Sequence, residues 1–314
     1  MNIALLVPMW GRHDAAKLCF KSIDRTKSFC LQMGIAISEY VIVSNEEDEK
    51  FAHQNYMNTI YAPNDQGLGF KFNVGLNHIL KCQDFHYLCV LGSDDVISTT
   101  AILWYLPYFS EGVPFFGITN PAFYNLETGE AVYYKYKIQS GAFRMHRVEE
   151  LRRATWNPSK NKYALWPDHI GFGMDIESEN ILLRAGYAII DVTPKIGTPL
   201  ILDIKDEGSL SSWKNLVDSG HARIDRRDLY KWFPEIEEIE ENKRLKKSFM
   251  PSWFPGKDLP EIQELEQTKN LKALSDQSAT EAQEVYKAIE QAGENIKEQL
   301  ITSDDLSRIL KQIK

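Results

Sequence analysis

Tyr87-Leu88-Cys89-Val90-Leu91-Gly92-Ser93-Asp94-Asp95 runs five apolar or aromatic residues straight into a glycine and a pair of carboxylates. An apolar run of this length, stopped by a turn signal, predicts a strand covered on both faces. Upstream, residues 70–80 place Phe72, Leu76 and Ile79/Leu80 on one side of a helix. Residues 40–43 form a second β-branched run. Residues 14–33 carry Leu18, Cys19 and Ile23 at helical spacing and end near Gly34. Residues 3–7 are a further apolar run, closed by Pro8. Strand, helix, strand, helix, strand predicts an α/β sandwich built on a largely parallel sheet. In such sheets ligands bind beyond the carboxyl ends of the strands. Pro8, Ser44 and Gly92-Ser93-Asp94-Asp95 all lie at those ends.

Downstream the pattern changes. Residues 99–106 read as a helix. Residues 113–117 and 131–138 read as extended segments joined by a turn at Glu127-Thr128-Gly129-Glu130, an antiparallel addition. Residues 176–183 predict a helix closed by Gly186, followed by a strand over 188–192. From about Pro234 the composition shifts to Glu, Lys and Gln, and Pro251, Pro255 and Pro260 punctuate a linker. Ala282, Val285, Ile289, Ala292 and Ile296 then recur at steps of three and four, an amphipathic helix that packs on the body or forms a homodimer contact. The expected division is a body over 1–234 and a C-terminal linker and helical extension over 235–314.

The chain of 314 residues carries 43% hydrophobic and 25% charged residues, close to the soluble globular average. Of its charges, 17 acidic and 12 basic side chains fall from Glu235 onward, leaving 27 and 24 in the body. A near-neutral body gives no global argument for nucleic-acid binding. No run of about 18 apolar residues predicts a membrane span. The N-terminus lacks a basic start and a cleavage site, and Cys19, Cys30, Cys82 and Cys89 show no CxxC pair. Together these features suggest a cytoplasmic protein with reduced thiols.

Two readings stand for Ser93-Asp94-Asp95. Adjacent carboxylates past a buried strand are costly unless a cation binds there, and hard oxygen ligands suit Mg²⁺ or Mn²⁺ bridged to a diphosphate. Alternatively, Asp95 or Ser98 caps the helix that begins near Thr99. Asn64-Asp65-Gln66-Gly67-Leu68-Gly69, followed by Lys71-Phe72-Asn73-Val74-Gly75, favours the first reading. Glycines before a helix let backbone approach a ligand, and a helix N-terminus favours anions. Trp156, Trp166 and Trp213 offer faces for sugar stacking or for core packing. Basic groups at Arg144, His146, Arg147, Arg152, Arg153, Lys160 and Lys162, and at Arg223, Arg226, Arg227 and Lys231, suit an anionic acceptor or a solvated face.

The order of these pieces resembles the large inverting, family 2-like group of GT-A fold glycosyltransferases. The residues carrying the resemblance are Val7-Pro8 with Arg12, Val43-Ser44-Asn45-Glu46-Glu47, and Asn64 to Gly67 with Asn73-Val74-Gly75. Further along they are Tyr87 to Asp95, Ser140-Gly141-Ala142-Phe143-Arg144, and Gly173-Met174-Asp175 with Ala185-Gly186-Tyr187. The resemblance covers roughly residues 2–192. Ser44 and Asn45 stand where the family has acidic residues, and Met174 stands where it has Glu.

The resemblance implies a Rossmann-like mixed sheet sandwiched by helices and transfer of a sugar, with inversion, from a nucleotide-sugar, UDP-linked by preference, to an acceptor hydroxyl. Asp94 and Asp95 would hold the metal. Pro8, Arg12, Ser44, Glu46, Gly67, Lys71, Asn73 and Asp94 would line the donor. Asp175 would be the general base, with Gly141, Arg144 and Trp166 beside it for the acceptor. Lys205, Asp206 or His221 would complete the metal or phosphate site. The acceptor would be a glycan, a lipid-linked glycan or a hydroxylated base in phage DNA. The competing readings are a non-catalytic nucleotide-sugar or carbohydrate binder on the same fold, or a nucleotidyltransferase.

Overall fold

The computed structural model describes residues 1–63, 67–82, 84–134, 140–168, 173–194, 198–206, 213 and 223–240. Chain contacts divide it into two compact units, Met1–Phe249 and Met250–Lys314. The expected boundary at 234/235 falls inside the first unit, where Glu235 pairs with Arg25 at 2.6 Å and Ile236 is buried. The proline-punctuated linker and the amphipathic stripe at 282–296 lie outside the described residues.

Five apolar runs or helical stripes become the elements expected of them. β1 (Asn2–Pro8) and β4 (Tyr87–Val90) are parallel neighbours, and β2 (Ala36–Val43) pairs parallel to β1 on the other side. α1 (His13–Gln32) and α3 (Leu68–Lys81) cover opposite faces. Apolar residues of β1 alternate between the two core clusters: Ile3, Leu5 and Val7 face one, Ala4 and Leu6 the other. That two-sided burial is why the run is continuously hydrophobic. Gly75 of α3 lies so close to the sheet that a Cβ there would meet Leu6 Cδ1 at 2.3 Å and Ile42 Cδ1 at 2.7 Å. The glycine of Asn73-Val74-Gly75 therefore serves helix-on-sheet packing.

The main sheet has seven strands. Beyond β2 lies β3 (Thr59–Tyr61). Beyond β4 come β9 (Arg144–Arg147), β6 (Phe115–Gly117) and β12 (Ile190–Asp191). β9 runs antiparallel to both its neighbours, while the other pairs are parallel, so the sheet is mixed. The α/β sandwich expected from the sequence is the architecture observed. A second sheet of four strands has the order β5 (Asp95–Ile97), β13 (Ile201–Lys205), β7 (Ala122–Asn125), β8 (Ala131–Tyr133), and β10 (Trp156–Asn157) and β11 (Lys162–Tyr163) form a separate antiparallel pair.

One expectation needs correction. The turn at 127–130 does not join residues 113–117 to 131–138. It closes a hairpin between β7 and β8, with Asn125 Oδ1 accepting from the Glu127 and Thr128 amides at 2.8 and 2.9 Å. β6 belongs to the main sheet instead. The missed element is Ala122–Asn125, whose four residues are all buried and show no polar alternation.

Between β2 and β3, α2 (Glu46–Gln54) fills what reads as a loop. Its N-cap Asn45 accepts from the Asp48 amide at 2.7 Å and donates to the Asp48 carboxylate at 3.0 Å, a reciprocal cap. α4 (Thr99–Ser110) follows β5, and α5 (Val148–Thr155) follows β9. α6 (Met174–Arg184) starts after Gly173 at φ 74° and stops before Gly186 at φ 85°. The left-handed conformation at Gly186 is the reason glycine closes that helix. No helix among the described residues is long and apolar enough to cross a membrane. Cys19, Cys30 and Cys89 are buried and Cys82 half-buried, all as free thiols.

Candidate active site

β4 delivers the acidic motif to the carboxyl edge of the main sheet. Ser98, not either aspartate, caps α4: its hydroxyl accepts from the Thr100 amide at 3.2 Å. Of the two caps the sequence offers, Ser98 is therefore the one used and Asp95 is not. Asp95 Oδ2 instead accepts from the Gly92 amide at 2.6 Å. A Cβ on Gly92 would lie 2.6 Å from Asp94 Oδ1 and 2.8 Å from Asp95 Oδ2, so only glycine lets both carboxylates fold back over the turn.

The second sheet adds what the motif lacks. β5 and β13 are antiparallel, and their register sets Asp203 directly opposite Asp95. Facing residues in such a pair project to the same side. Asp94, Asp95 and Asp203 each offer a carboxylate oxygen, and these oxygens lie within 4.8 Å of one another. Asp203 Oδ1 is buried and has no hydrogen-bond partner among the described residues. Burial first, then the fields of Asp203 and Asp94, pushes Asp95 well above the usual carboxylate range. Burial likewise raises Asp203, against the pull of Lys205 and with the push of Asp94. An orphaned carboxylate oxygen among hard oxygen donors that repel one another fits a divalent cation.

Two cations flank the cluster. Arg12 donates from Nη1 to Asp94 at 2.6 Å, from Nε to Asp206 at 3.1 Å, and from Nη2 to the Ile204 carbonyl at 2.8 Å. Burial lowers the Arg12 pKa, but Asp94 and Asp206 more than offset it and leave it raised. Gly11 and Arg12 both take left-handed backbone, φ 58° and 51°, which turns the chain back across the strand ends. For a non-glycine residue that conformation costs about 1 kcal/mol, and the three bonds of Arg12 hold it there. Lys205, buried, bonds Asp203 at 2.7 Å and sits 5.0 Å from the Phe123 ring centre. Burial pulls Lys205 down, yet Asp203, Asp94 and Asp95 leave it above its ordinary value.

A neighbouring group gathers on the other side of β1. Lys71 of α3 is buried and donates to the Met9 carbonyl. Burial lowers its pKa to about 8, against the upward pull of Asp48. Asp48 holds the Gly11 amide at 3.1 Å and His13 at 3.0 Å. Trp10, 58% exposed, lies with its ring centre 5.5 Å from the Lys71 ammonium. The sequence reading missed Trp10 and Asp48. Pro8-Met9-Trp10-Gly11-Arg12 signals the first, a large aromatic where the strand ends, and Asn45 three residues before Asp48 signals the second.

The remaining residues fall into separate groups. Pro8 is buried at the end of β1, and Ser44 is buried just past β2. Glu46 is exposed in the first turn of α2, on a groove with Glu49, Lys50 and His53. Gly67 is the N-cap of α3, and Gly69 passes so close to residue 167 that a Cβ would lie 2.0 Å from the Pro167 carbonyl oxygen. Asn73 is wholly engaged in that same contact: it donates to Trp166 O at 2.6 Å and Asp168 at 2.8 Å, and accepts from the Leu165 amide at 3.1 Å. Trp166 is buried, stacked on Phe72 at 4.8 Å.

Asp175 sits in the first turn of α6, where Gly173 occupies the N-cap. Its Oδ2 accepts from the Gly141 amide at 2.9 Å, and Oδ1 accepts no hydrogen bond among the described residues. A Cβ on Gly141 would lie 1.9 Å from Oδ1, so the glycine makes the approach possible. Arg144, buried in β9, donates to the Asp175 carbonyl at 3.3 Å and Ser178 Oγ at 3.0 Å. Arg144 pairs with Val90 across β4 and β9, which sets Gly141 and Asp175 beyond the strand end from which Gly92–Asp95 departs. His221 and residues 64–66 lie outside the described residues.

No protein-family model matches the chain, and no curated protein matches it. Solved structures do. TarS 1–349 of S. aureus, in complex with UDP-GlcNAc, is similar at 14% identity and a TM-score of 0.43, over 77% of this chain and 67% of that one. The catalytic domain of Drosophila β1,4-galactosyltransferase 7, in complex with xylobiose, is similar at 14% identity and a TM-score of 0.42, over 70% and 80%. A mutant of that enzyme, with manganese, UDP-Gal and xylobiose, gives 15% and 0.40. At these values neither donor nor acceptor is carried across.

Proposed function

We propose that the chain is a nucleotide-sugar-dependent glycosyltransferase that inverts the anomeric centre and uses a divalent cation. The observation that carries this is the third carboxylate: Asp203, set opposite Asp95 by strand register, leaves a buried oxygen unpartnered beside Asp94 and Asp95. These three residues would hold Mg²⁺ or Mn²⁺. When bound there, the ion would supply Lewis-acid charge neutralisation for a leaving diphosphate.

The chain's own residues do the rest. Arg12 and Lys205 bring positive charge to the rim of the cluster, where phosphate oxygens can be held. Lys71 fixes the turn after β1 through the Met9 carbonyl, beneath Trp10, whose exposed ring can stack on a base or sugar. Asp175, anchored at Oδ2 by Gly141, keeps Oδ1 available to take the acceptor hydroxyl proton as that oxygen attacks. Arg144 and Ser178 hold the backbone of its helix, so the carboxylate is presented rather than mobile. Glu46, exposed in the first turn of α2, and Trp166, buried against Phe72, take no part in this mechanism.

The test is hydrolysis of a panel of nucleotide sugars, UDP-sugars first, with and without Mn²⁺, followed by mass spectrometry of products from candidate acceptors. One donor should be consumed in a metal-dependent way that Asp95→Ala abolishes. Binding of nucleotide sugars with no turnover of any would establish the non-catalytic alternative.

A further inference from the structure

The basic residues grouped between 144 and 162 in the sequence do not share one face. Arg144 is buried under α6, Arg152 donates to the Leu80 and Cys82 carbonyls, and Arg147 and Arg153 pair with Glu149 or Glu150. Lys160 and Lys162 are different. With Arg184 from the last turn of α6, they line a cavity of about 580 Å³ that also holds Trp156, 45% exposed, and is floored by the Trp166–Asp168 segment.

The charge of this cavity is not compensated. Its lining has one carboxylate, Asp168, which accepts from Asn73 at 2.8 Å and from Lys162 at 3.0 Å. Burial pushes Asp168 up, but Asn73, Lys162 and the field of Lys160 hold it below its ordinary value. Asp168 is thus already satisfied. Lys160 and Arg184 make no ion pair with any described residue. Two uncommitted cations beside a half-exposed indole suit a ligand with an apolar C–H face and an anionic substituent. That combination describes a charged saccharide. A nucleic-acid backbone would need cations spread along a face, which the arrangement of the arginines denies it.

The cavity and Asp175 share one helix but not one face of it. Its floor, Trp166–Asp168, leads through four residues to Gly173, and its wall at Arg184 is nine residues along α6 from Asp175. Nine helical residues span about 14 Å. They also make about two and a half turns, so Arg184 leaves α6 on the face opposite Asp175 and the cavity, lined by Ile181, Arg184 and Ala185, is a site apart from the base.

We propose that this cavity is a saccharide-binding subsite, apart from the base, for a molecule bearing a phosphate or carboxylate group. Its role in transfer rests on the glycosyltransferase reading; its ligand does not. Calorimetry of the full chain, in the presence of a chelator, compares glucose 6-phosphate and glucuronate with glucose, inorganic phosphate and a short single-stranded DNA. One of the two charged sugars should bind about tenfold tighter than glucose or phosphate, and which one does so names the substituent. Arg184→Gln and Lys160→Gln should each weaken it about tenfold, and Trp156→Ala should abolish it. Asp95→Ala and Asp175→Asn should leave it unchanged, which separates this subsite from the metal and base assignments. Equal binding of inorganic phosphate, loss in Asp95→Ala, tighter binding of the DNA, or no binding at all would overturn the proposal.

Discussion

The two sheets contribute to the site in opposite ways. The main sheet presents its residues by chain direction: β1, β2 and β4 are parallel and end at one edge, so Arg12, Ser44 and Asp94 arrive there by topology alone. The small sheet contributes by register. Its strands are short, and its part in the site is the pairing of Asp203 with Asp95, with Lys205 two residues on. Topology gathers the loops; register completes the carboxylate set. A change to the first should alter what the site reaches, whereas a change to the second should alter whether it holds a cation.

The largest effect should come where the sheets meet. Asp95→Ala removes the carboxylate shared by the motif and the register pair, and metal-dependent donor turnover should fall to background in a hydrolysis assay. Next comes the acceptor side. Asp175→Asn should cut transfer by about 10² to 10⁴-fold, the range for a lost general base, while calorimetry shows donor affinity retained. Gly141→Ala forces a methyl to 1.9 Å from Asp175 Oδ1 and should displace the carboxylate. Misplacement of that order costs about 10²-fold in rate, read as kcat with donor binding intact.

Smaller effects test the main sheet by itself. Gly75→Ala pushes a methyl into Leu6 and Ile42 and should lower stability by about 1–3 kcal/mol, measured by denaturant titration, with per-molecule turnover unchanged. Loss of turnover in the folded fraction would mean α3 does more than pack. The smallest is a pH effect at Lys71, whose folded pKa of about 8 lies below its ordinary value because it is buried. Between that value and the ordinary lysine range the unfolded chain holds a proton that the folded chain has lost. Stability should therefore rise with pH across that window, and Lys71→Met should flatten the slope.

The centre of the main sheet was legible because β1, β2 and β4 each hold an apolar or aromatic run of four or more residues next to a turn signal. Asp94, Asp95 and Asp175 were legible for the same reason: each stands just beyond a readable strand or at the start of a readable helix. Asp203 was not read, although Leu200-Ile201-Leu202-Asp203-Ile204 places a single acid within an apolar run. Its importance depends on pairing with a three-residue strand, with Asp203 opposite Asp95 across more than a hundred intervening positions, and no local pattern encodes that. Asn73 shows a second kind of dependence on distant chain. An Asn before a Gly near a predicted ligand loop suggests donor contact, yet its amide clips the Leu165–Asp168 segment to α3. Local sequence shows that a buried amide needs partners without showing which segment provides them.

Everything proposed for the donor side depends on Asp203 completing a cation site with Asp94 and Asp95. Mn²⁺ binding to the wild-type chain and to Asp203→Asn, followed by electron paramagnetic resonance with thermal unfolding in parallel, tests it most directly. Asp203→Asn should lose Mn²⁺ binding while the metal-free protein gains about 0.5–2 kcal/mol of stability from the removed repulsion. Undiminished Mn²⁺ affinity in Asp203→Asn would contradict it.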